Sequence, residues 1–146
     1  MRNLYERNGE LNFELKMNGE KNLDVLLKSM KPKLYEGEYV FCSVKDFSHM
    51  DFQKIILCFK EPEGFTLILK REDADKLNVG YAFVAAWIEL TVHSALDAVG
   101  LTATFSKALA DKNISCNVVA GFYHDHIFVE TKDAPSAMII LNQFSQ

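Results

Sequence analysis

Leu11, Phe13, Leu15 and Met17 alternate with polar residues between two Asn-Gly pairs, Asn8-Gly9 and Asn18-Gly19. A period of two between turn signals predicts a strand, here inside an N-terminal extension over residues 1–22. The period then changes. Leu23, Leu26, Leu27 and Met30 recur at one-turn spacing and predict a short amphipathic helix, capped by Asn22 and stopped by Pro32. Tyr39–Val44 follows Gly37 as an apolar strand, and Lys45–His49 is a polar loop. Ile55–Lys60 and Phe65–Lys70 flank Glu61-Pro62-Glu63-Gly64, the clearest hairpin in the chain. Arg71–Leu77 reads as a short charged helix.

Residues 81–93 form one long extended segment. Ile88, Leu90 and Val92 point to one side of it, and Trp87, Glu89, Thr91 and His93 to the other. A loop covers Ser94–Gly100. Leu101, Phe105, Ala108 and Leu109 then mark one helix face, and Asn113 is suited to the left-handed residue that ends a helix. Ser115–Tyr123 and His126–Glu130 read as strands. Asp133 is placed to cap a last helix with Ala134, Ala137, Met138 and Leu141 inward. The segments 66–77 and 127–141 both run strand, charged corner, helix, which suggests two copies of a split β-α-β unit.

Composition narrows the class. With 146 residues, 49% of them apolar, the chain can bury a core without staples. A net charge of −4 and the lack of a basic stripe argue against nucleic acid as partner. No apolar run approaches the length that spans a membrane, and the polar start MRNLYERNGE does not resemble a signal peptide. The three cysteines, Cys42, Cys58 and Cys116, are odd in number, form no CxxC pair and sit in apolar runs. They read as reduced core thiols of a cytoplasmic protein.

The candidate chemistry centres on His124-Asp125-His126. If the strand is continuous, the two histidines share a face and Asp125 points away. Three readings stand: a metal site with His93 as third ligand, histidines that brace the loop, or a ligand-reading turn. Catalysis has little to work with. Ser94 would diverge from its neighbour His93 on an extended backbone, Cys116 lies within a strand, and nothing marks an oxyanion hole. No glycine-rich phosphate loop occurs, so no nucleotide cofactor is expected. Trp87 on an otherwise polar stripe with Glu89, Thr91 and His93 points to contact with another unit or subunit.

Asp97-Ala98-Val99-Gly100-Leu101-Thr102 resembles the Asp-x-Pro-Gly-x-Leu core of the ACT domain, a small ligand-sensing module. Phe105 and Leu109 fall at that family's apolar helix positions, and Asn113-Ile114 stands where the family has Gly-Ile. Val99, Thr102 and Asn113 depart from the pattern, while Gly100 is retained. The strings LLKSMKPKL (26–34), YVFC (39–42), LTVHS (90–94), AVGLTA (98–103) and ISCNVVAGFYHDHIFV (114–129) are similar to small tandem ACT-like proteins. They are also similar to the ACT repeats of cytosolic arginine sensors, in which an aspartate just before a histidine helps hold the ligand; Asp125-His126 stands there.

The resemblance implies an α+β fold of tandem ferredoxin-like (βαββαβ) units, with antiparallel sheets and helices on one face. Residues 23–80 would make a degenerate first unit and 81–146 a fuller second one, with the segment 81–93 ending one and beginning the other. It implies a non-catalytic amino-acid or zwitterion sensor and a homo-oligomer packed sheet edge to sheet edge. The ligand residues would be Ser94, Ala95, Asp97, Val99, Gly100, Leu101, Asn117, Val118, Tyr123, His124, Asp125 and His126. A partner-binding module without ligand, and a metal protein built on His124 and His126, are the alternatives.

Overall fold

The computed structural model describes residues 19–146; the alternating stretch Leu11–Met17 lies outside them. The helix α1 spans Leu23–Ser29, and the Asn22 side chain accepts from the Val25 N–H at 3.2 Å, as its position predicts. Two strands follow, β1 (Pro32–Leu34) and β2 (Tyr39–Val44). Pro32 stops α1 and also opens β1, since proline is tolerated as the first residue of a strand. A 3-10 turn, Phe52–Lys54, leads into the hairpin β3 (Ile55–Glu61) and β4 (Gly64–Lys70). Helix α2 is Arg71–Lys76 and strand β5 is Tyr81–Leu90. Helix α3 (Leu101–Ala110), strands β6 (Asn117–Ala120) and β7 (Asp125–Glu130), and helix α4 (Ala134–Asn142) complete the chain.

Three boundaries differ from expectation for physical reasons. Strand β5 ends at Leu90 rather than His93, because Val92 and Ser94 turn back to donate to Leu90 O and Val92 O. Strand β6 is shorter than Ser115–Tyr123, because β7, its strand partner among the described residues, runs out where Ala120 faces Asp125. Asp133 makes no side-chain cap. It ends a 3-10 turn that runs straight into α4, and Pro135 removes one of the N–H groups a cap would serve. Asn113 does adopt a left-handed conformation (φ 59°) after α3, and Asn78 (φ 53°) does the same after α2.

All strands join one antiparallel sheet in the order β3-β4-β2-β5-β7-β6. β1 also pairs with β5, on the same edge as β2 and beyond it. The neighbours β5-β2-β4-β3 and β2-β5-β7-β6 each have the strand order of a ferredoxin-like unit, and β2 and β5 occur in both.

The helices cover one face. Ala86, Ile88 and Leu90 of β5 and Ile127 and Val129 of β7 are buried there against Phe105, Leu109, Ala137 and Leu141. Helix α1 precedes β1, yet it buries Leu26 and Met30 in this same core. A second cluster, Val40, Cys42, Leu67, Leu69 and Ala74, continues that face under α2. On the opposite face, Tyr39, Ile68, Ala85 and Phe128 form a third apolar cluster flanked by Phe41, Phe83, Trp87 and Val119.

Phe105 is fully buried and Phe59 is 62% exposed. Phe105→Ala is expected to lower the unfolding free energy by about 3–5 kcal/mol, read by chemical denaturation. Phe59→Ala should stay within about 0.5 kcal/mol.

Candidate functional site

Two loops meet at one end of the sheet. The first runs from β5 to α3. The segment Gly19–Lys21 closes its flank: Glu20 N–H donates to His93 O at 2.9 Å, and Ala95 N–H donates to Glu20 O at 3.0 Å. The approach is so close that a Cβ on Gly19 would sit 2.4 Å from the Ala95 nitrogen. Gly100 opens α3 at φ +101°, with Leu23 packed 3.1 Å from where a Cβ would stand. Among the described residues no side chain caps α3, which leaves the N–H groups of its first turn with their partial positive charge. Asp97 pairs with Lys21 at the surface, which holds its carboxyl below the ordinary aspartate range.

The second loop joins β6 to β7, closed by Gly121 N–H donating to His124 O at 2.9 Å. Asp125 begins β7 on the helix-bearing side and is only 7% exposed. Ser94 donates its hydroxyl to Asp125 Oδ2 at 3.3 Å, tying the two loops together. Among the described residues Asp125 forms no ion pair. Burial therefore dominates and pushes its carboxyl up, while the Ser94 hydrogen bond and the two flanking histidines pull the other way. His124 Nδ1 lies 3.4 Å from Val92 O. In the tautomer that carries its proton on Nδ1, the ring donates to this carbonyl, which can only accept. The Tyr123 ring rests 5.5 Å from that of His93.

Ser94, Ala95, Asp97, Val99, Gly100 and Leu101 thus lie on one loop and helix start, and Tyr123, His124 and Asp125 stand across from them. Asn117 and Val118 do not. They pair with Phe128 and Ile127 at the far end of β6, about 10 and 7 Å along the strand from Ala120. His126 is also separated, because strand alternation turns it to the helix-free face. There Trp87 Nε1–H donates to His126 Nδ1 at 3.1 Å. Indole cannot accept, so the imidazole proton is held on Nε2. Burial lowers the His126 pKa, and Glu89 beside it pulls the other way.

Sequence reasoning missed the partners of both sets. Gly19–Lys21 carried only a turn signal. Tyr35, whose ring stacks on Trp87 at 4.0 Å and whose hydroxyl donates to Glu89 Oε2 at 2.7 Å, stood in a segment with no periodic pattern. Trp87, expected at a contact with another unit or subunit, packs against Tyr35 and Tyr39 of the segment 23–80. The metal alternative finds no geometric support: among the described residues no group of three or more His, Cys, Asp or Glu side chains converges. Of the cysteines, Cys42 is buried, Cys116 is half-buried with its thiol pushed up to about 11 by burial, and Cys58 is exposed on β3 rather than in the core.

One antiparallel sheet with overlapping ferredoxin-like strand orders and helices on one face defines a tandem ferredoxin-like fold. Two family models described as ACT domain match in tandem, over residues 18–86 and 83–143. The chain belongs to the ACT-domain family, whose members are typically ligand-binding regulatory modules in amino-acid metabolism. It is similar to a Vibrio cholerae protein of unknown function, a possible transport protein, with 46% identity and a TM-score of 0.76 over 86% of this chain and 98% of the other. An Agrobacterium tumefaciens protein shares 17% identity at TM-score 0.61, over 80% and 89% of the two chains. The regulatory subunit of aspartate kinase from Thermus thermophilus shares 10% at TM-score 0.55, over 82% and 100%. These last two share the fold. No curated protein matches the chain significantly. Among the described residues no helix is long and apolar enough to cross a membrane.

The opposed shifts on adjacent residues give opposite pH effects. Asp125 has a raised folded pKa, so its stabilising contribution is present below the ordinary value of 3.8 and is lost as pH rises through the raised one. Asp125→Asn should therefore melt above the parent at pH 7, and the gap should close as pH falls toward 3.8. His126 has a lowered folded pKa, so its contribution is present above 6.5 and is lost as pH falls through the lowered value. In thermal melts across pH, that acid-side loss should disappear in His126→Gln.

Proposed function

We propose that this chain is a non-catalytic sensor that binds a free amino acid or a similar small zwitterion between the loop Ser94–Gly100 and Asp125. The observation that carries this reading is Asp125 itself. Among the described residues this nearly buried carboxylate has only a hydroxyl partner, which is costly unless something cationic completes it. An ammonium group would do so. The uncapped first turn of α3, reached through Gly100 and Leu101, supplies N–H groups for the carboxylate end of the same ligand. Ser94, Ala95, Asp97 and Val99 line the loop side, and Tyr123 and His124 line the other.

Asn117 and Val118 lie on β6, an edge strand among the described residues. They would enter such a site from a second copy of the chain, which makes a homo-oligomer part of this proposal. His126 enters by ordering the strand that carries Asp125. The free cysteines fit a reducing, cytoplasmic setting. A second reading, a partner-binding module without ligand, draws on one observation. Leu96, Val99, Phe122 and Tyr123 expose large apolar side chains on these same two loops.

Thermal unfolding with each of the twenty amino acids separates the two. A ligand at 100 times its Kd stabilises by about 2.7 kcal/mol, a shift of roughly 5–11 °C for a chain of this size. The sensor requires a selective rise in Tm that Asp125→Ala abolishes while still melting cooperatively. A flat panel for the parent protein hands the function to the partner-binding reading.

A further inference from the structure

A flat sheet in this strand order would hold its edge strands β3 and β6 about 24 Å apart. Yet Ile56 and Leu57 of β3 and Val119 and Ala120 of β6 line one and the same cavity of about 360 Å³ on the helix-free face. The sheet must therefore curl, bringing its edges toward each other as in an incomplete barrel. The curl also accounts for Tyr39, Ile68 and Phe128, which are at most 2% exposed although none of the described helices covers them. The cavity is the inside of the curl.

Its lining is mostly apolar, with the rings of Phe128 and Trp87 lying near-parallel, 6.0 Å apart. Two polar groups open into it, Glu89 and His126, and they are direct cross-strand partners on β5 and β7. Their neighbours set what each offers. Trp87 occupies His126 Nδ1, which leaves Nε2–H as a donor; it lies by Gly121, where a Cβ would come within 3.2 Å of it. Among the described residues the Tyr35 hydroxyl occupies Glu89 Oε2 and leaves the other carboxylate oxygen as an acceptor. The cavity thus presents one donor and one acceptor side by side beside aromatic rings.

We propose that this cavity is a second small-molecule site, separate from the Asp125 loops, and that it takes a compact aromatic carboxamide. The ring would lie against Phe128, Ile68 and Val119. The amide oxygen would accept from His126 Nε2–H, and the amide N–H would donate to Glu89. An aromatic carboxylate of the same shape lacks the N–H and meets Glu89 with like charge, so the site rejects it.

Trp87 is the only tryptophan in the chain, and its emission reports on the cavity directly. Benzamide, titrated into the full-length protein, should change that emission saturably, and benzoate should bind at least tenfold more weakly. Val119→Phe and, at the cavity rim, Ala120→Phe should each remove the benzamide response while retaining the parent's near-ultraviolet dichroism. Asp125→Ala should leave it intact, because Asp125 faces the other side of the sheet. A flat benzamide titration overturns the proposal, since the probe carries both the ring and the amide edge. Equal response to benzoate overturns it too, as does an emission that follows protein dilution and dimer dissociation, which would make a second copy of the chain the occupant.

Discussion

Strand β5 is hydrogen-bonded along both edges, to β7 on one side and to β2 and then β1 on the other. A strand so placed is mainly apolar on both faces, and Tyr81–Leu90 is apolar apart from Glu89. Ala86, Ile88 and Leu90 meet the helices, while Ala85 and Trp87 meet the third cluster. Its end at Leu90 launches the loop to α3, and its register against β7 fixes which residues of 125–130 face which side. The two candidate sites are opposite sides of this one pairing.

The same alternation gives adjacent residues opposite chemistry. Asp125 is turned under the loops, where burial favours the neutral acid. His126 is turned into the curl, where burial favours the neutral base. Desolvation drives both, and the sign differs because one group is charged when it loses a proton and the other when it gains one. Both carry hydrogen-bond partners from β5 or the loop that follows it, Ser94 for Asp125 and Trp87 for His126. Neither is free to reorient without disturbing that strand's surroundings.

Long-range closure is a recurring feature. Gly19–Lys21 seals the loop at His93–Asp97, and α1 fills the core beside α3 rather than a core of its own. Lys54 reaches the nearly buried Asp73 of α2 at 2.9 Å and supplies the charge that carboxylate needs. These contacts join residues far apart in sequence, and each fills a gap left where the local chain offers no partner.

By itself the sequence determined most elements, because each follows from local periodicity and turn chemistry. The helix capped by Asn22, the hairpin around Pro62-Glu63, the inward row Ile88 and Leu90, and the left-handed Asn113 were all legible. So was the family, through Asp97–Leu101 and the strings around it. The alternation also implied that Asp125 and His126 point apart. What the tertiary structure decided was what each of them meets. Strand order placed Ser94 beside Asp125, and Trp87, Glu89 and Tyr35 around His126. It also set Asn117 and Val118 at the far end of β6 and curled the helix-free face into a cavity. Those outcomes depend on register, twist and which edges meet. These are properties of pairs of segments, and a periodicity read along one segment does not contain them.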